Sequence, residues 1–267
     1  MEFSEYDRII NILRSYKDGK VDEVSAINAI SLVILTKNLN TVRLDVNREL
    51  RIGFPEIIYG PGKKYEDIYK SIIAFLEDRG RAFVYGLSNE YKDKILKDIR
   101  KDYNDFIVKE AHNLLLIKRN KLSNEINHVG KVALLTGGTV DVPYAEETAL
   151  LLEELGVEVY RYYDVGVANL NRVLEVLSND ILKKNVDVII VFAGMDGVLP
   201  VVTASLIPLP VIGVPISSGY GYGGEGQAAL MTMLQSCVPG LVVVNINNTV
   251  GAAAAAYRIM MVKNRNR

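Results

Sequence analysis

The chain has 267 residues, of which 49% are hydrophobic and 24% are charged, and its formal net charge is −1. This is the composition of a globular protein that can bury a core, and the balanced charge predicts no nucleic-acid or membrane-surface partner. A single cysteine excludes an intrachain disulfide, and one cysteine with two histidines cannot build a typical zinc site. We therefore expect no metal site made of protein ligands.

We expect neither a targeting segment nor a membrane span in this sequence. The N-terminus is acidic and lacks an apolar signal core, which predicts a cytoplasmic protein. The most apolar segment, 241–261, is interrupted by three asparagines and an arginine, so we expect no membrane span.

The first part of the chain predicts a helical and small α/β region. Residues 4–35 have apolar residues at helical spacing, which favours packing or assembly helices. Strand-like and helical patterns then alternate: strands at 57–59, 82–85, 106–108 and 114–117, and helices at 65–77 and 92–100. Residues 118–127 are polar without an apolar stripe. We accordingly predict an N-terminal region over 1–126 and a second domain over 127–267.

The second domain shows a clearer alternation of strands and helices. Short apolar runs bounded by Gly and Pro predict buried parallel strands at 132–135, 157–162, 186–193, 211–214 and 241–246. Helical patterns lie between and after them at 144–155, 170–177, 228–235 and 251–261. Right-handed crossovers would cover the parallel sheet on both faces. Ligands of such sheets bind beyond the carboxyl ends of the strands, where the glycine-rich loops of this chain fall.

Two of these loops contain residues suited to chemistry. In the first, Gly138 and Thr139 precede a helix and suit a phosphate, while Asp141 suits either a ribose hydroxyl or a helix N-cap. In the second, Asp196 is an acid–base candidate or simply a turn residue before Gly197. Neither loop has a Walker A sequence or a dinucleotide-binding glycine fingerprint.

Cys237 allows two interpretations. A lone cysteine is often a small buried hydrophobe, but it can also be a nucleophile. Because Cys237 follows the C-terminus of a predicted helix, the helix dipole disfavours its thiolate. A nucleophilic Cys237 would therefore need a nearby base or a cationic substrate.

Several longer motifs occur in one order along residues 40–260. They are Arg51–Glu56, Tyr59–Lys63, Gly138–Pro143 with Ala145–Glu147, Asp164–Ala168, Ala193–Pro200, Val214–Gly221, Ser236–Cys237 with Pro239–Gly240, and Val244–Asn247. With these motifs the chain resembles the LarB family, relatives of the PurE-type aminoimidazole ribonucleotide carboxylases. The resemblance implies a PurE-like three-layer αβα domain with a parallel sheet, preceded by a smaller helical and α/β N-terminal region.

The resemblance also implies an activity. LarB-type proteins carboxylate C5 of the pyridinium ring of nicotinic acid adenine dinucleotide, with CO2 as co-substrate. They also hydrolyse the phosphoanhydride, which gives AMP and pyridinium-3,5-biscarboxylic acid mononucleotide for nickel-pincer cofactor synthesis. By this resemblance Cys237 is the covalent nucleophile and Asp196 the acid–base residue. Mg2+ would act through the substrate phosphates, and the protein would be a homo-oligomer, an octamer as in PurE-like domains.

The substrate-binding residues expected from the loops and the resemblance lie after four strands of the second domain. They are Gly138, Thr139, Asp141, Gly194, Met195, Gly197, Ser217, Ser218, Gly219, Tyr220, Gly221, Asn245 and Asn247.

The chain departs from the family pattern in ways that keep two alternatives open. Asp196 stands where the family usually has Glu, Asn171 where it has His, and Asn247 where it has Asp. A PurE-type ribonucleotide mutase is the first alternative, although the His of the PurE loop aligns with Val198 here. A non-catalytic nucleotide-binding relative is the second. An assay with nicotinic acid adenine dinucleotide and CO2 separates all three.

Overall fold

The computed structural model describes residues 5–33, 37–39, 42–45, 48–103, 105–120 and 128–264. The chain divides into two compact units. The first comprises residues 1–109 and 113–122, and the second comprises residues 110–112 and 123–267. The boundary predicted at 126/127 falls in residues 121–127, outside the described residues, and stays a prediction. Within the described ranges, no helix is both long and apolar enough to span a membrane.

The first unit is the predicted helical and small α/β region. Its elements are α1 (Glu5–Lys17), α2 (Glu23–Val33), β1 (Lys37–Leu39), β2 (Val42–Leu44), α3 (Arg48–Ile52), β3 (Ile57–Tyr59), α4 (Tyr65–Asp78), β4 (Arg81–Tyr85), α5 (Asn89–Asp102), β5 (Phe106–Ala111) and β6 (Leu114–Arg119). Strands β1 and β2 form an antiparallel pair. The larger sheet has the order β3-β4-β6-β5, with β3 parallel and β6 antiparallel to β4. The last two residues of β5 and His112 group with the second unit, and His112 is a turn residue in a left-handed conformation between β5 and β6.

The second unit contains the predicted strand–helix alternation. Its elements are β7 (Gly130–Thr136), α6 (Val142–Glu154), β8 (Val157–Tyr162), α7 (Leu170–Val176), β9 (Val188–Ala193), α8 (Val198–Leu206), β10 (Val211–Pro215), α9 (Gln227–Leu234), β11 (Leu241–Val243) and α10 (Thr249–Asn264). A short 3-10 turn, Thr139–Asp141, leads into α6. All five strands are parallel, in the order β11-β10-β9-β7-β8, which confirms the predicted parallel α/β sheet.

This strand order determines where a ligand site can form. The chain goes from β7 outward to β8 and then returns past β7 to β9, so the direction of winding reverses between β7 and β9. At such a switch point the loops after the two neighbouring strands diverge and leave a crevice. The crevice of this sheet lies after Thr136 and Ala193, at the carboxyl edge.

Both faces of the sheet are covered by apolar helices. Ala133 and Leu135 of β7 belong to a core that includes Val173 of α7, Leu199 of α8 and Met233 of α9. Strand residues alternate between faces, so the intervening side chains of β7 point to the opposite side. That side is packed by α6 and α10, whose buried residues include Ala252, Ala253, Ala256 and Met260.

The last strand is shorter than the sequence predicts. The apolar pattern predicts a strand over 241–246, but β11 ends at Val243. Asn245 uses its side-chain carbonyl to accept a hydrogen bond from the N–H of Ile246, and Asn247 adopts a left-handed conformation. Asparagine side chains that bond to nearby backbone groups compete with strand pairing, which explains the early end of β11.

Candidate functional site

A cavity of about 530 Å³ opens at the carboxyl edge of the second sheet. Four loops form it, those that follow β7, β8, β9 and β10. Its lining residues are Gly137, Gly138, Val140, Asp141, Gly166, Val167, Ala168, Ala193, Gly194, Met195, Asp196, Leu199, Ser218 and Tyr220. Cavities of this size hold small-molecule ligands. Seven of the predicted site residues are brought together there: Gly138, Asp141, Gly194, Met195, Asp196, Ser218 and Tyr220.

Glycines allow these loops to approach one another closely. A Cβ on Gly166 would lie 2.5 Å from the carbonyl oxygen of Gly137, and a Cβ on Gly219 would lie 2.3 Å from that of Gly194. A Cβ on Gly194 would in turn lie 1.9 Å from Oγ of Ser218. Since contacts this short are not possible, the spacing of the loops requires residues without a side chain. The glycine pattern of the sequence therefore determines the width of the cavity.

Asp141 links two of the loops. Its carboxylate accepts a hydrogen bond from the N–H of Gly138 at 3.0 Å and from Oγ of Ser218 at 2.9 Å. The side chain does not cap α6, so the N-cap alternative is wrong for that helix. Burial raises the pKa of Asp141, and the two hydrogen bonds partly oppose that rise. Asp141 thus holds the loop after β7 against the Ser218 loop and is one of the residues that line the cavity.

Asp196 lies at the exposed rim of the cavity. Its Oδ1 accepts a hydrogen bond from the N–H of Val198, so the turn interpretation holds while the side chain also lines the cavity. Asp141 and Asp196 are the only ionisable side chains apart from the Tyr220 phenol in the lining described above. A cavity lined by two carboxylates, with no lysine, arginine or histidine among those residues, favours a cationic group in its ligand.

Eight predicted residues are not among the lining residues, and two of them, Ser217 and Asn247, support a lining loop. Asn247 accepts a hydrogen bond from the N–H of Ser217 at 2.9 Å and donates one to Oγ of Ser217 at 2.8 Å. These two residues fix the start of the Ser218 loop. Four others lie outside the lining: Thr139, Gly197, Gly221 and Asn245. Their roles in binding stay predictions.

Cys237 is exposed, so the interpretation as a buried hydrophobe is wrong. It lies between α9 and β11, and Gly240, three residues later, accepts a hydrogen bond from the N–H of Val211 at the beginning of β10. Strand β10 ends at Pro215, four residues after Val211, and the cavity lies beyond that end. Four strand residues span about 13 Å. Within one chain, Cys237 is therefore at the edge of the sheet opposite the cavity, and its role as nucleophile stays a prediction.

Sequence reasoning missed two features of the site. The motif Asp164–Ala168 is part of the family resemblance but contributes no predicted site residue, yet Gly166, Val167 and Ala168 line the cavity because β8 lies next to β7. Arg172, in the first turn of α7, bonds to both the carbonyl and the carboxylate of Asp164 and brings a positive charge beside this loop. A basic residue in the first helical turn after a lining loop was the available signal.

Comparisons with known proteins agree with this architecture. The family model described as AIR carboxylase matches residues 131–267, and the model described as LarB/PurE-like N-terminal domain matches residues 36–118. An uncharacterized protein of Methanocaldococcus jannaschii is 39% identical over 248 residues, which cover 92% of this chain and 94% of the relative. This similarity extends over both units.

Other relatives match about half of the chain. An N5-carboxyaminoimidazole ribonucleotide mutase of Methanocaldococcus jannaschii is 33% identical over 137 residues, 51% of this chain and 82% of the relative. The corresponding mutase of Pyrococcus horikoshii is 34% identical over 135 residues, 49% of this chain and 73% of the relative. The AIR carboxylase model, over residues 131–267, and the two mutases therefore each match about half of this chain.

Proposed function

Because this chain belongs to the LarB family of PurE-related proteins, we propose that it carboxylates the pyridinium ring of nicotinic acid adenine dinucleotide at C5 with CO2. It also hydrolyses the phosphoanhydride, and the products are AMP and pyridinium-3,5-biscarboxylic acid mononucleotide. The family supports a carboxylase or mutase type of activity. The pyridinium substrate and the nucleophile are the parts that we infer.

The observation that carries this proposal is the charge of the cavity. Asp141 and Asp196 face a space in which no basic side chain joins the lining, so a cationic ring is stabilised there by Coulomb attraction. A pyridinium ring has this charge, whereas the aminoimidazole ring of the mutase substrates is neutral near pH 7. Arg172, beside the Asp164–Ala168 loop, is paired with the Asp164 carboxylate through one nitrogen, and its remaining guanidinium N–H groups are donors for the phosphates outside the acidic centre.

The chemistry that we propose follows from the electrophilic ring. The Cys237 thiolate adds to C4, which forms a C–S bond and moves an electron pair into the ring, so that the pyridinium becomes a dihydropyridine. C5 is now the nucleophilic carbon of an enamine and attacks CO2, forming the new C–C bond. Asp196 then removes the proton from C5, and loss of the thiolate from C4 restores the aromatic pyridinium.

The hydrolytic step needs the phosphates to be held. The backbone N–H groups at the N-terminus of the helical segment 139–154, together with the Thr139 hydroxyl, suit a phosphate. Across the described ranges, no cluster of three or more His, Cys, Asp or Glu side chains could hold a metal ion. Mg2+ would therefore enter bound to the phosphate oxygens of the dinucleotide, where it would neutralise their charge during attack by water.

The proposal is tested with the purified full chain, nicotinic acid adenine dinucleotide and 13C-bicarbonate. By mass spectrometry we expect AMP and a mononucleotide that is heavier than nicotinic acid mononucleotide by one 13C-labelled carboxylate. Cys237→Ser should abolish labelling while leaving dinucleotide binding unchanged by calorimetry, since a neutral hydroxyl is a far weaker nucleophile. Ser205→Ala, a change at another exposed residue, is the matched control. Labelling by Cys237→Ser at the wild-type rate would refute the mechanism.

A ribonucleotide mutase is the second candidate, because the mutases of two archaea are similar to about half of this chain. The chain lacks the histidine that the PurE loop carries, since Val198 stands at that position. Its two histidines lie elsewhere: His112 in the β5–β6 turn and His128 before the start of β7, at the amino edge of the sheet. Conversion of N5-carboxyaminoimidazole ribonucleotide, with no labelling of the dinucleotide, would favour the mutase.

A further inference from the structure

The proposed substrate brings a third carboxylate into an acidic cavity. A nicotinate ring carries a positive charge on its nitrogen and a negative charge on its C3 carboxylate, whereas the C3 carboxamide of a nicotinamide ring is uncharged. The lining described above contains the carboxylates of Asp141 and Asp196 and no lysine, arginine or histidine. Both aspartates would repel a ring carboxylate unless one of them takes up a proton. The acid therefore binds well only if the cavity supplies a proton and a hydrogen-bond donor.

The depths of the two aspartates decide which of them meets the C3 substituent. Asp196 is exposed at the rim and takes the C5 proton in the mechanism proposed above, whereas only 4% of Asp141 is exposed. On the ring, C3 and C5 lie on opposite sides of C4, so their substituents point away from each other. With C5 at Asp196, the C3 substituent is directed towards the buried side of the cavity, where Asp141 lies.

Ser218 provides the side-chain donor at that buried side. Its Oγ donates to Oδ1 of Asp141 at 2.9 Å, and Oδ2 of Asp141 accepts from the N–H of Gly138 at 3.0 Å. The same Oγ occupies the space that a side chain at Gly194 would fill, since a Cβ there would lie 1.9 Å away. Apart from the Tyr220 phenol, Ser218 has the only side-chain hydroxyl in the lining described above. A ligand group at this wall therefore meets the Ser218 hydroxyl.

The Ser218 hydroxyl has one proton and can use it in two ways. When Asp141 is ionised, that proton points to its carboxylate, and Ser218 offers the cavity only lone pairs, which suit the NH2 group of a carboxamide. When Asp141 is protonated, the carboxyl proton is donated to Oγ of Ser218, and the hydroxyl proton is released to bind a carboxylate. Burial raises the pKa of Asp141 and so lowers the free energy that this proton costs.

Resting on the function proposed above, we infer that Ser218 is the residue that distinguishes the acid from the amide at C3, and that Asp141 is the positioning residue that sets the direction of its hydroxyl. With a proton on Asp141 the site takes the nicotinate ring, and without it the site takes the nicotinamide ring. Binding of the acid therefore takes up one proton, whereas binding of the amide takes up none.

The titratable groups on the elements next to Asp141 fall into three sets. They are Asp196 and Tyr220 in the lining, Asp164 and Arg172 after β8, and Tyr144, Glu146 and Glu147 in the first turns of α6. The pKa of Asp141 is moved by its burial and by its bonds to Ser218 and Gly138. A variant at Asp141 or Ser218 leaves all of these other groups in place, so it isolates the pair.

Calorimetry with two dinucleotides as a function of pH tests the inference. The quantity measured is the affinity for nicotinic acid adenine dinucleotide divided by that for nicotinamide adenine dinucleotide, in which the shared phosphates and adenosine cancel. In the wild type this ratio should fall as pH rises, by up to about tenfold per pH unit, the slope for one proton. Asp141→Asn has a permanent N–H in place of the carboxyl proton, so it should favour the acid at every pH. Ser218→Ala lacks the hydroxyl and should lose most of the pH dependence.

The matched control is Asp164→Asn, the same replacement at a carboxylate that pairs with Arg172. Asparagine tolerates the left-handed conformation of residue 164, and the change affects both dinucleotides alike, so the wild-type pH dependence should remain. Circular dichroism checks that each variant folds, and Ser218→Ala carries the test alone if Asp141→Asn does not. A wild-type ratio that is independent of pH, or an equal pH dependence in wild type and Ser218→Ala, would overturn the inference.

The outcomes separate this inference from the function on which it rests. If the wild type carboxylates nicotinic acid adenine dinucleotide but the affinity ratio does not change with pH, the role of Ser218 is wrong and the function stands. If the ratio changes as expected but no labelled product forms, the function fails, and Ser218 still distinguishes the two rings. If neither dinucleotide binds, both are wrong.

Discussion

Replacing Gly166 with alanine tests whether the contact between two loops determines the cavity. The new Cβ would lie 2.5 Å from the carbonyl oxygen of Gly137, and ordinary contact begins at 3.4 Å, so the loops must separate by about 0.9 Å (3.4 − 2.5). Overpacking of this kind costs about 1–3 kcal/mol. At about 3 °C per kcal/mol, Tm should fall by roughly 3–9 °C. A shift of about 1 Å at the cavity should also lower carboxylation on the order of 10²-fold.

A second glycine in the same cavity provides the control for this experiment. Gly166 and Gly138 both have backbone angles that alanine adopts, so neither substitution introduces backbone strain. A Cβ on Gly138 meets nothing closer than 3.9 Å, so Gly138→Ala should change Tm little. Thermal unfolding followed by circular dichroism, together with the carboxylation assay, compares the two variants. If Gly166→Ala is as stable and active as Gly138→Ala, the loop contact does not set the cavity and the reasoning is wrong.

Three further predictions concern the charged groups. Asp196→Asn should lower the carboxylation rate about 10²-fold or more, because an amide cannot accept the C5 proton. The control is Glu225→Gln, which removes the other carboxylate of segment 188–257 and should leave the rate unchanged. Equal losses of rate in the two variants would contradict the role of Asp196. Arg172→Ala should weaken dinucleotide binding in calorimetry at low salt, with the difference from wild type shrinking as salt is added; a salt-independent loss would contradict an electrostatic role. Burial raises the pKa of Asp141, so its contribution to stability is fully present below its unfolded pKa of about 3.9 and is lost as pH rises through the folded pKa. In urea unfolding, the free energy of unfolding of the wild type should therefore fall relative to that of Asp141→Asn as pH rises through that window. If the two free energies change with pH in parallel, the reasoning is wrong.

The sequence predicts the elements of the second unit well because their signals are local. Apolar runs bounded by Gly and Pro correspond to β7–β11, and the predicted helices correspond to α6, α7, α9 and α10, with limits that differ by a few residues, whereas α8 (Val198–Leu206) was not predicted. The early end of β11 was not predictable from apolar character, since it depends on side-chain bonding by asparagines after the strand. Local periodicity cannot report such competition.

What the sequence could not supply is the lateral order of the strands. The loop after β8 lines the cavity only because β8 lies next to β7, and the crevice exists only because the winding reverses between β7 and β9. The position of Cys237 is a different case. A residue that follows a helix in a parallel α/β unit lies at the amino edge of the sheet, so the strand–helix order already placed the thiol away from the glycine loops.

The position of α10 has a consequence for the order in which this protein can fold during synthesis. The helix is the last element of the second unit, and its buried alanines and Met260 cover the same face of the sheet as α6. Met260 fits against β7 only because Gly130 has no side chain there. While the ribosome is still adding residues before 260, the apolar strands can pair but one of their faces remains partly uncovered. The nascent chain therefore exposes an apolar surface of the kind that chaperones bind until α10 has emerged, and a pause in translation before that point would prolong the exposure.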